Sequence, residues 1–242
     1  MADAAAEAPP VRLVVGLGNP GPRYARTRHN AGQRVVEQLA ARLGAGRFAA
    51  RYAGQFAEAR GPRGPLGLLI PTTYMNESGT SVGPAAGTLH AAPAQVLVVH
   101  DDIDLPFGEV RGKAGGGHGG HNGLRSIATG LGGAGFLRVR LGVGRPGPGF
   151  RGDEADWVLR AFDEPEEQVD AQLARGLDMT EAVLADGMDA AIARFHARPP
   201  GERARARAER RAGAKGNPGD RHPDPGDSHP SPDGDGHPAE PS

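Results

Sequence analysis

The chain of 242 residues contains no cysteine, which excludes disulfides, iron–sulfur clusters and thiolate nucleophiles and fits a cytosolic compartment. No stretch approaches the roughly 20 apolar residues that a membrane span needs. The opening MADAAAEAPP has neither the basic start nor the apolar run of a signal peptide, so a soluble protein is expected, with residues 1–10 as a disordered extension. Residues 199–242 contain no Val, Ile, Leu, Met, Phe, Tyr or Trp. A segment without such side chains buries too little to offset its ordering entropy and is expected to be disordered. One domain over residues 11–198 remains.

The formal net charge of −1 conceals a sorting of charge along the chain. Residues 11–152 carry 17 Arg and Lys against 7 Asp and Glu, whereas residues 153–198 carry 4 against 12. A basic body of this kind suits a polyanion, nucleic acid being the commonest, although arginines coating solvated faces give the same count. The acidic stretch is expected to face away from such a partner, and its helices to cap a site entrance. In the tail, Arg203, Arg205, Arg207, Arg210, Arg211 and Lys215 precede a Pro/Asp/His-rich end. That block reads as a solvated appendage or as a salt-sensitive auxiliary RNA contact.

Hydrophobic periodicity predicts alternating strands and helices. Val11–Leu17, Phe48–Arg60, Leu66–Ile70, Val96–His100 and Leu137–Val143 read as strands, and the Gly/Pro turn at 61–65 joins two of them as a hairpin. Asn30–Leu43, Ser78–Leu89, Asn122–Leu131, Glu164–Leu184 and Met188–His196 read as helices. The expected fold class is α/β: a single domain whose mixed, twisted β-sheet is flanked by helices on both faces.

Four polar clusters follow strands. After the first comes Gly16-Leu-Gly18-Asn-Pro-Gly21, which matches a dinucleotide fingerprint in letters only, because Pro20 and Pro22 prolong the loop and Glu37 lies inside the next helix. That loop instead presents Asn19, Tyr24, His29 and Asn30. The second cluster is Thr72-Thr73-Tyr74-Met75-Asn76 and the third is His100-Asp101-Asp102-Ile103-Asp104-Leu105-Pro106. The fourth, Gly115-Gly-Gly-His118-Gly-Gly-His121-Asn122-Gly123, has no apolar side chain to anchor it in a core. Convergence of polar groups at strand ends is the layout of an active site. Without a thiol or a G-x-S-x-G elbow, a covalent acyl route is disfavoured. Histidine beside carboxylate suits activation of water, and asparagine amides suit a carbonyl or oxyanion. Metal-assisted hydrolysis by His118, His121 and the Asp101/Asp102/Asp104 group competes, but two histidines on a glycine loop lack the rigid helical face of H-E-x-x-H.

The segments GLGNPG-x-x-Y-x-x-T-R-H-N-A-G (16–32), P-T-T-Y-M-N-x-S-G (71–79), H-D-D-I-D-L-P-x-G (100–108) and G-G-G-H-G-G-H-N-G-L (115–124) closely resemble the bacterial peptidyl-tRNA hydrolase family. The resemblance covers about residues 11–197. It implies a monomeric, cytoplasmic, metal-independent esterase without a cofactor, which frees tRNA from N-blocked peptides by splitting the ester at the tRNA 3′ CCA end. A catalytically silent RNA-binding relative of the same fold is the alternative. By motif position, His29 would be the base and Asp101 its hydrogen-bonding partner. Asn19, Asn76 and Asn122 would bind peptide and position water or oxyanion, and Tyr24 and Tyr74 would join Asn76 and Asn122 at the tRNA 3′ end beside Met75. Asn19 suits recognition of a blocked amino group, since a mispaired buried polar group is costly. The tyrosines suit stacking on unpaired bases. Lys113, Arg138 and Arg140 are expected to contact phosphates, His121 to support the site by hydrogen bonding, and His118 to serve a local turn.

Overall fold

The computed structural model describes residues 8–196. The expected tail 199–242 and residues 1–7 of the expected extension lie outside the described residues. Ala8 and Pro10 are fastened to the domain, their carbonyls accepting from Arg63 and Gln95. Among the described residues no helix is long and apolar enough to cross a membrane.

Seven strands form one sheet: β1 (Leu13–Gly16), β2 (Ala49–Arg51), β3 (Gly54–Gly61), β4 (Gly64–Pro71), β5 (Val96–Asp102), β6 (Val110–Ala114) and β7 (Leu137–Gly142), in the order β2-β3-β4-β1-β5-β7-β6. β4, β1, β5 and β7 run parallel at its centre, and the outer pairs are antiparallel. A parallel strand covered on both faces is apolar on both, and β5 follows that rule. Leu97 and Val99 enter one core with Val14, Val35, Leu39 and Leu141. Val96 and Val98 enter the other with Leu13, Val15, Leu124 and Ile127. Truncating a fully buried leucine here, such as Leu39 or Leu97, would cost about 2–5 kcal/mol.

Among the described residues the α-helices are α1 (Ala31–Arg42), α2 (Ser78–Thr88), α3 (Asn122–Gly130), α4 (Glu154–Val158), α5 (Glu166–Asp186) and α6 (Met188–His196). Residues of α1, α5 and α6 complete the first core, and those of α2 and α3 the second. Gly32 brings α1 against the sheet: a Cβ there would lie 2.1 Å from the Val99 carbonyl oxygen. Only glycine permits that approach, and it places the residues just before α1 at the end of β5.

Several boundaries differ from the expected ones. Phe48–Arg60 is two strands, because Tyr52 and Ala53 turn the chain at φ 55° and 49° and Arg51 pairs with Gly54. A two-residue turn with both φ positive normally announces itself by Asn-Gly, which is absent. β6 escapes the pattern since VRGKA has one apolar β-former, and α4 is a five-residue helix set by the reciprocal Asp153–Asp156 capping bonds. Pro165, standing before α5, delays that helix to Glu166. Two 3-10 turns, Pro22–Tyr24 and Arg28–Asn30, separate the first glycine loop from α1. The helix therefore does not open on those glycines, as a dinucleotide fold requires.

The charge sorting is partly internal. Arg34 of α1 pairs with Asp170, Arg42 with Asp178 and Glu181, and Arg26 with Glu166, all from α5.

Candidate active site

The parallel strands β1, β4 and β5 deliver their C-terminal ends to one edge of the sheet. From the 3-10 turn that precedes α1, His29 reaches the end of β5, and its Nδ1 lies 2.9 Å from both carboxylate oxygens of Asp101. Asp101 is 1% exposed. From the other side, Nε2 of His121 lies 3.1 Å from Asp101 Oδ1.

The backbone settles the proton positions. His121 stands at the N-cap of α3, where its Nδ1 accepts from the N–H groups of Gly123 and Leu124 at 3.1 and 3.4 Å. A nitrogen that accepts carries no proton, so the His121 proton sits on Nε2 and is donated to Asp101. An ionised carboxylate can only accept, so His29 donates Nδ1–H to Asp101. Its Nε2 lone pair has no protein partner among the described residues, and the ring borders a cavity of about 260 Å³. Burial would raise the Asp101 carboxyl, but His29 and His121, by charge and by hydrogen bond, more than offset it and hold it well below the usual carboxylate range.

His100, next in the chain, is a third imidazole that the sequence reading left without a role. Its Nδ1 donates to the Asp101 carbonyl at 2.5 Å, and its ring meets that of His121 edge-on at 5.0 Å. Burial, and then the proximity of His121, push its pKa well below the ordinary histidine value, so it stays neutral.

Asn19 is positioned from behind. Asn30 accepts the Asn19 N–H at Oδ1 and donates Nδ2–H to the Asn19 carbonyl, both at 2.9 Å. The Asn19 side-chain oxygen accepts the Met75 N–H at 2.9 Å, which leaves its amide hydrogens for a ligand. Met75 is buried and ties the β4 cluster to the β1 loop. Asn30 had appeared in the sequence as one member of a polar cluster and one letter of the first motif. Nothing there distinguishes a residue that touches a ligand from one that holds it.

The glycine loop is shaped by Arg138. Gly115, Gly116, Gly119 and Gly120 all have positive φ. The Arg138 guanidinium donates to the carbonyls of Gly115 at 2.9 Å, Gly117 at 2.8 Å, and Gly116. At 3% exposure Arg138 is a buried brace for the loop, and it also lines the cavity that His29 borders. Strand alternation had placed it beside Arg140, but the loop folds over it. Arg140 is half-buried, with Nε 2.7 Å from Asp102, and Lys113 is exposed at the cavity rim.

The cavity therefore gathers His29, Asp101, His121, Asn122, Lys113 and Arg140. Asn19 borders a neighbouring hollow of about 350 Å³, and Asn76 a third of about 400 Å³ with Arg125. Asn122 accepts from Arg125 at 2.8 Å, which links the α3 start to that third hollow. Tyr74 is 56% exposed, and Tyr24 is half-buried under the Arg23 guanidinium at 4.4 Å; neither borders these three hollows. Among the described residues, the group with metal-ligand spacing is His29, Asp101 and His121, whose ligand atoms lie within 4.8 Å of one another. It is not the set expected from sequence. His118 is exposed and accepts the Gly120 N–H as a turn residue, while Asp102 and Asp104 pair with Arg140 and Arg145. In the observed trio both histidines donate an N–H to Asp101, and their ring centres lie 4.9 Å apart.

Comparisons with known proteins identify the family. The family described as peptidyl-tRNA hydrolase matches residues 13–203. A peptidyl-tRNA hydrolase of Sorangium cellulosum is 49% identical over 193 residues, covering 79% of this chain and 86% of its own, and that of Mycobacterium tuberculosis (strain H37Rv) is 50% identical over 188 residues, covering 76% and 97%. The crystal structure of peptidyl-tRNA hydrolase from Acinetobacter baumannii superposes with a TM-score of 0.70 at 36% identity, covering 78% of this chain and 96% of that one. The chain belongs to the peptidyl-tRNA hydrolase family.

Proposed function

We propose that this chain hydrolyses the ester between an N-blocked peptide and the 3′ end of tRNA, with His29 as general base on the attacking water. The observation that carries the reading is the orientation of His29. Its Nδ1–H is held by both oxygens of a buried carboxylate, which leaves Nε2 as the unengaged ring nitrogen, and the ring borders a solvent-reachable cavity. In the proposed reaction Nε2 takes a proton from water as the water oxygen attacks the ester carbonyl. The imidazolium that forms is stabilised by Asp101 and returns the proton to the departing ribose oxygen. A positioned base of this kind supplies about 10² to 10⁴-fold.

The Asn19 amide hydrogens are assigned to the peptide next to the ester, and Asn76 and Asn122 to water, oxyanion or the tRNA end. Tyr24 and Tyr74 are assigned to stacking on the unpaired bases. Lys113 and Arg140 remain the phosphate contacts, while Arg138 acts through the loop it braces. A monomer acting in the cytoplasm on the acceptor arm completes the reading.

Incubating the protein with N-acetyl-aminoacyl-tRNA and, separately, with unblocked aminoacyl-tRNA, each with and without chelator, tests it. Release from the blocked substrate alone, unaffected by chelator, is expected. Binding without release would make the chain a silent RNA binder, and loss of release with chelator would make it a metal enzyme.

A further inference from the structure

Arg28 is a fully buried arginine immediately before the base, in the same 3-10 turn. Its guanidinium lies 3.8 Å from the ring centre of Trp157 and 5.4 Å from that of Phe162. It donates to the Ala161 carbonyl at 2.5 Å and pairs with Asp163 and Glu164 at 3.1 and 3.3 Å. The Arg28 backbone N–H donates to the Arg160 carbonyl, and Thr27 forms a bridge with Ala161. The turn carrying His29 is thus fastened to the segment that leaves α4.

Trp157 belongs to α4. One side of that helix gives Glu154, Ala155 and Val158 to the wall of the cavity that His29 borders, while the indole lies under Arg28. The indole N–H donates to the Gly144 carbonyl at 2.8 Å, at the far end of the loop that brings α4 across. A five-residue helix has little stability of its own. Its position therefore depends on this stack and on Arg145, which pairs with both Asp104 and Glu154.

Resting on the esterase reading above, we propose that Arg28 and Trp157 are positioning residues: their stack transmits the placement of the α4 wall to the His29 ring and keeps Nδ1–H on the Asp101 carboxylate. A cation over an indole, shielded from water, is held by the negative face of the ring. Losing it lets the wall and the turn shift independently. A displacement of about 1 Å at a catalytic group can cost about 10²-fold.

The test compares Trp157→Phe, which keeps an aromatic face under the guanidinium, with Trp157→Leu, which does not. Three measurements are made on the full chain: single-turnover hydrolysis of N-acetyl-aminoacyl-tRNA, tRNA affinity, and the proton NMR signal of the His29 ring N–H, assigned by its disappearance in His29→Ala. Trp157→Leu is expected to lower the rate about ten-fold, following a fraction of that displacement cost, with tRNA affinity unchanged and the ring N–H signal shifted or broadened. Trp157→Phe is expected to restore both rate and signal. Placed on Asp101→Asn, where the aligned hydrogen bond is already lost, Trp157→Leu should cost less than about two-fold more. An unchanged ring N–H signal in Trp157→Leu, or a ten-fold loss that persists on Asp101→Asn, would overturn the proposal. Because the NMR signal needs no turnover, it decides this point even if the wild-type chain releases nothing, an outcome that would sink the esterase reading separately.

Discussion

Replacing Asp101 by asparagine keeps the size of the side chain and removes its charge, and the surrounding hydrogen bonds dictate what the new amide must do. Oδ1 of Asp101 lies 2.9 Å from His29 Nδ1 and 3.1 Å from His121 Nε2, while Oδ2 lies 2.9 Å from His29 Nδ1 alone. The Gly123 and Leu124 N–H groups fix His121 as a donor to this carboxylate. The amide oxygen must therefore take the Oδ1 position, which puts the amide nitrogen against His29 Nδ1. Two N–H groups cannot face each other at that distance, so His29 is driven to the tautomer with its proton on Nε2. That tautomer cannot accept a proton from water. Loss of the imidazolium's counter-charge adds to the effect. In the serine protease triad the equivalent replacement lowers kcat by about 10⁴-fold for the same tautomeric reason; here, without a covalent step, a loss of about 10² to 10⁴-fold is expected. Single-turnover release from N-acetyl-aminoacyl-tRNA at saturating enzyme measures it, with tRNA affinity as the control. A rate within ten-fold of wild type would refute the argument that the carboxylate sets the state of the base.

Further expectations follow the same contacts. His29→Ala should lower turnover by about 10² to 10⁴-fold and leave the Kd for tRNA in place, checked by filter binding. His100 is buried neutral with a lowered pKa, so the unfolded chain binds its proton first as pH falls below about 6.5. Stability should be fully present above that pH and decline by up to about 1.4 kcal/mol per pH unit below it. Urea midpoints for wild type and His100→Gln measure this, and an identical pH slope in the variant would contradict it. Arg138→Met should leave loop carbonyls without their donor, costing about 1–3 kcal/mol, with faster amide exchange across residues 115–120 as the readout. Lys113→Ala should weaken tRNA binding across tRNA sequences and reduce the salt slope by about one, seen by titrating affinity against salt.

Most of the core elements were legible because their apolar spacing is dense: Leu39 and Val35 one helical turn apart, Val96–Val99 unbroken. The elements that escaped are held by contacts that periodicity does not record. β6 gains its ladder from β7, and α4 its cap from Asp153. In the site, the four polar clusters were legible as imidazole, carboxylate and amide at strand ends, but it was the family resemblance that singled out His29, Asp101 and His121 among them. The brace formed by Arg138 was not legible, because alternation along β7 says which way a side chain points but not that a glycine loop will cover it. Arg28 stood in the sequence as one letter of the first motif, with no sign of what it would touch. Burial of a guanidinium between aromatic rings depends on Trp157 and Phe162, more than a hundred positions downstream.

His121 caps a helix with one ring nitrogen and steadies the central carboxylate with the other. Folding and chemistry are consequently welded at a single side chain, and the usual substitutes fail in opposite ways. Aspartate would suit the helix end but set a second anion beside Asp101, whereas a lysine could serve the carboxylate yet leave the helix end bare. A substitute at this position must bring an acceptor for the helix end and a donor for the carboxylate at once, so most single changes there disturb folding and chemistry together.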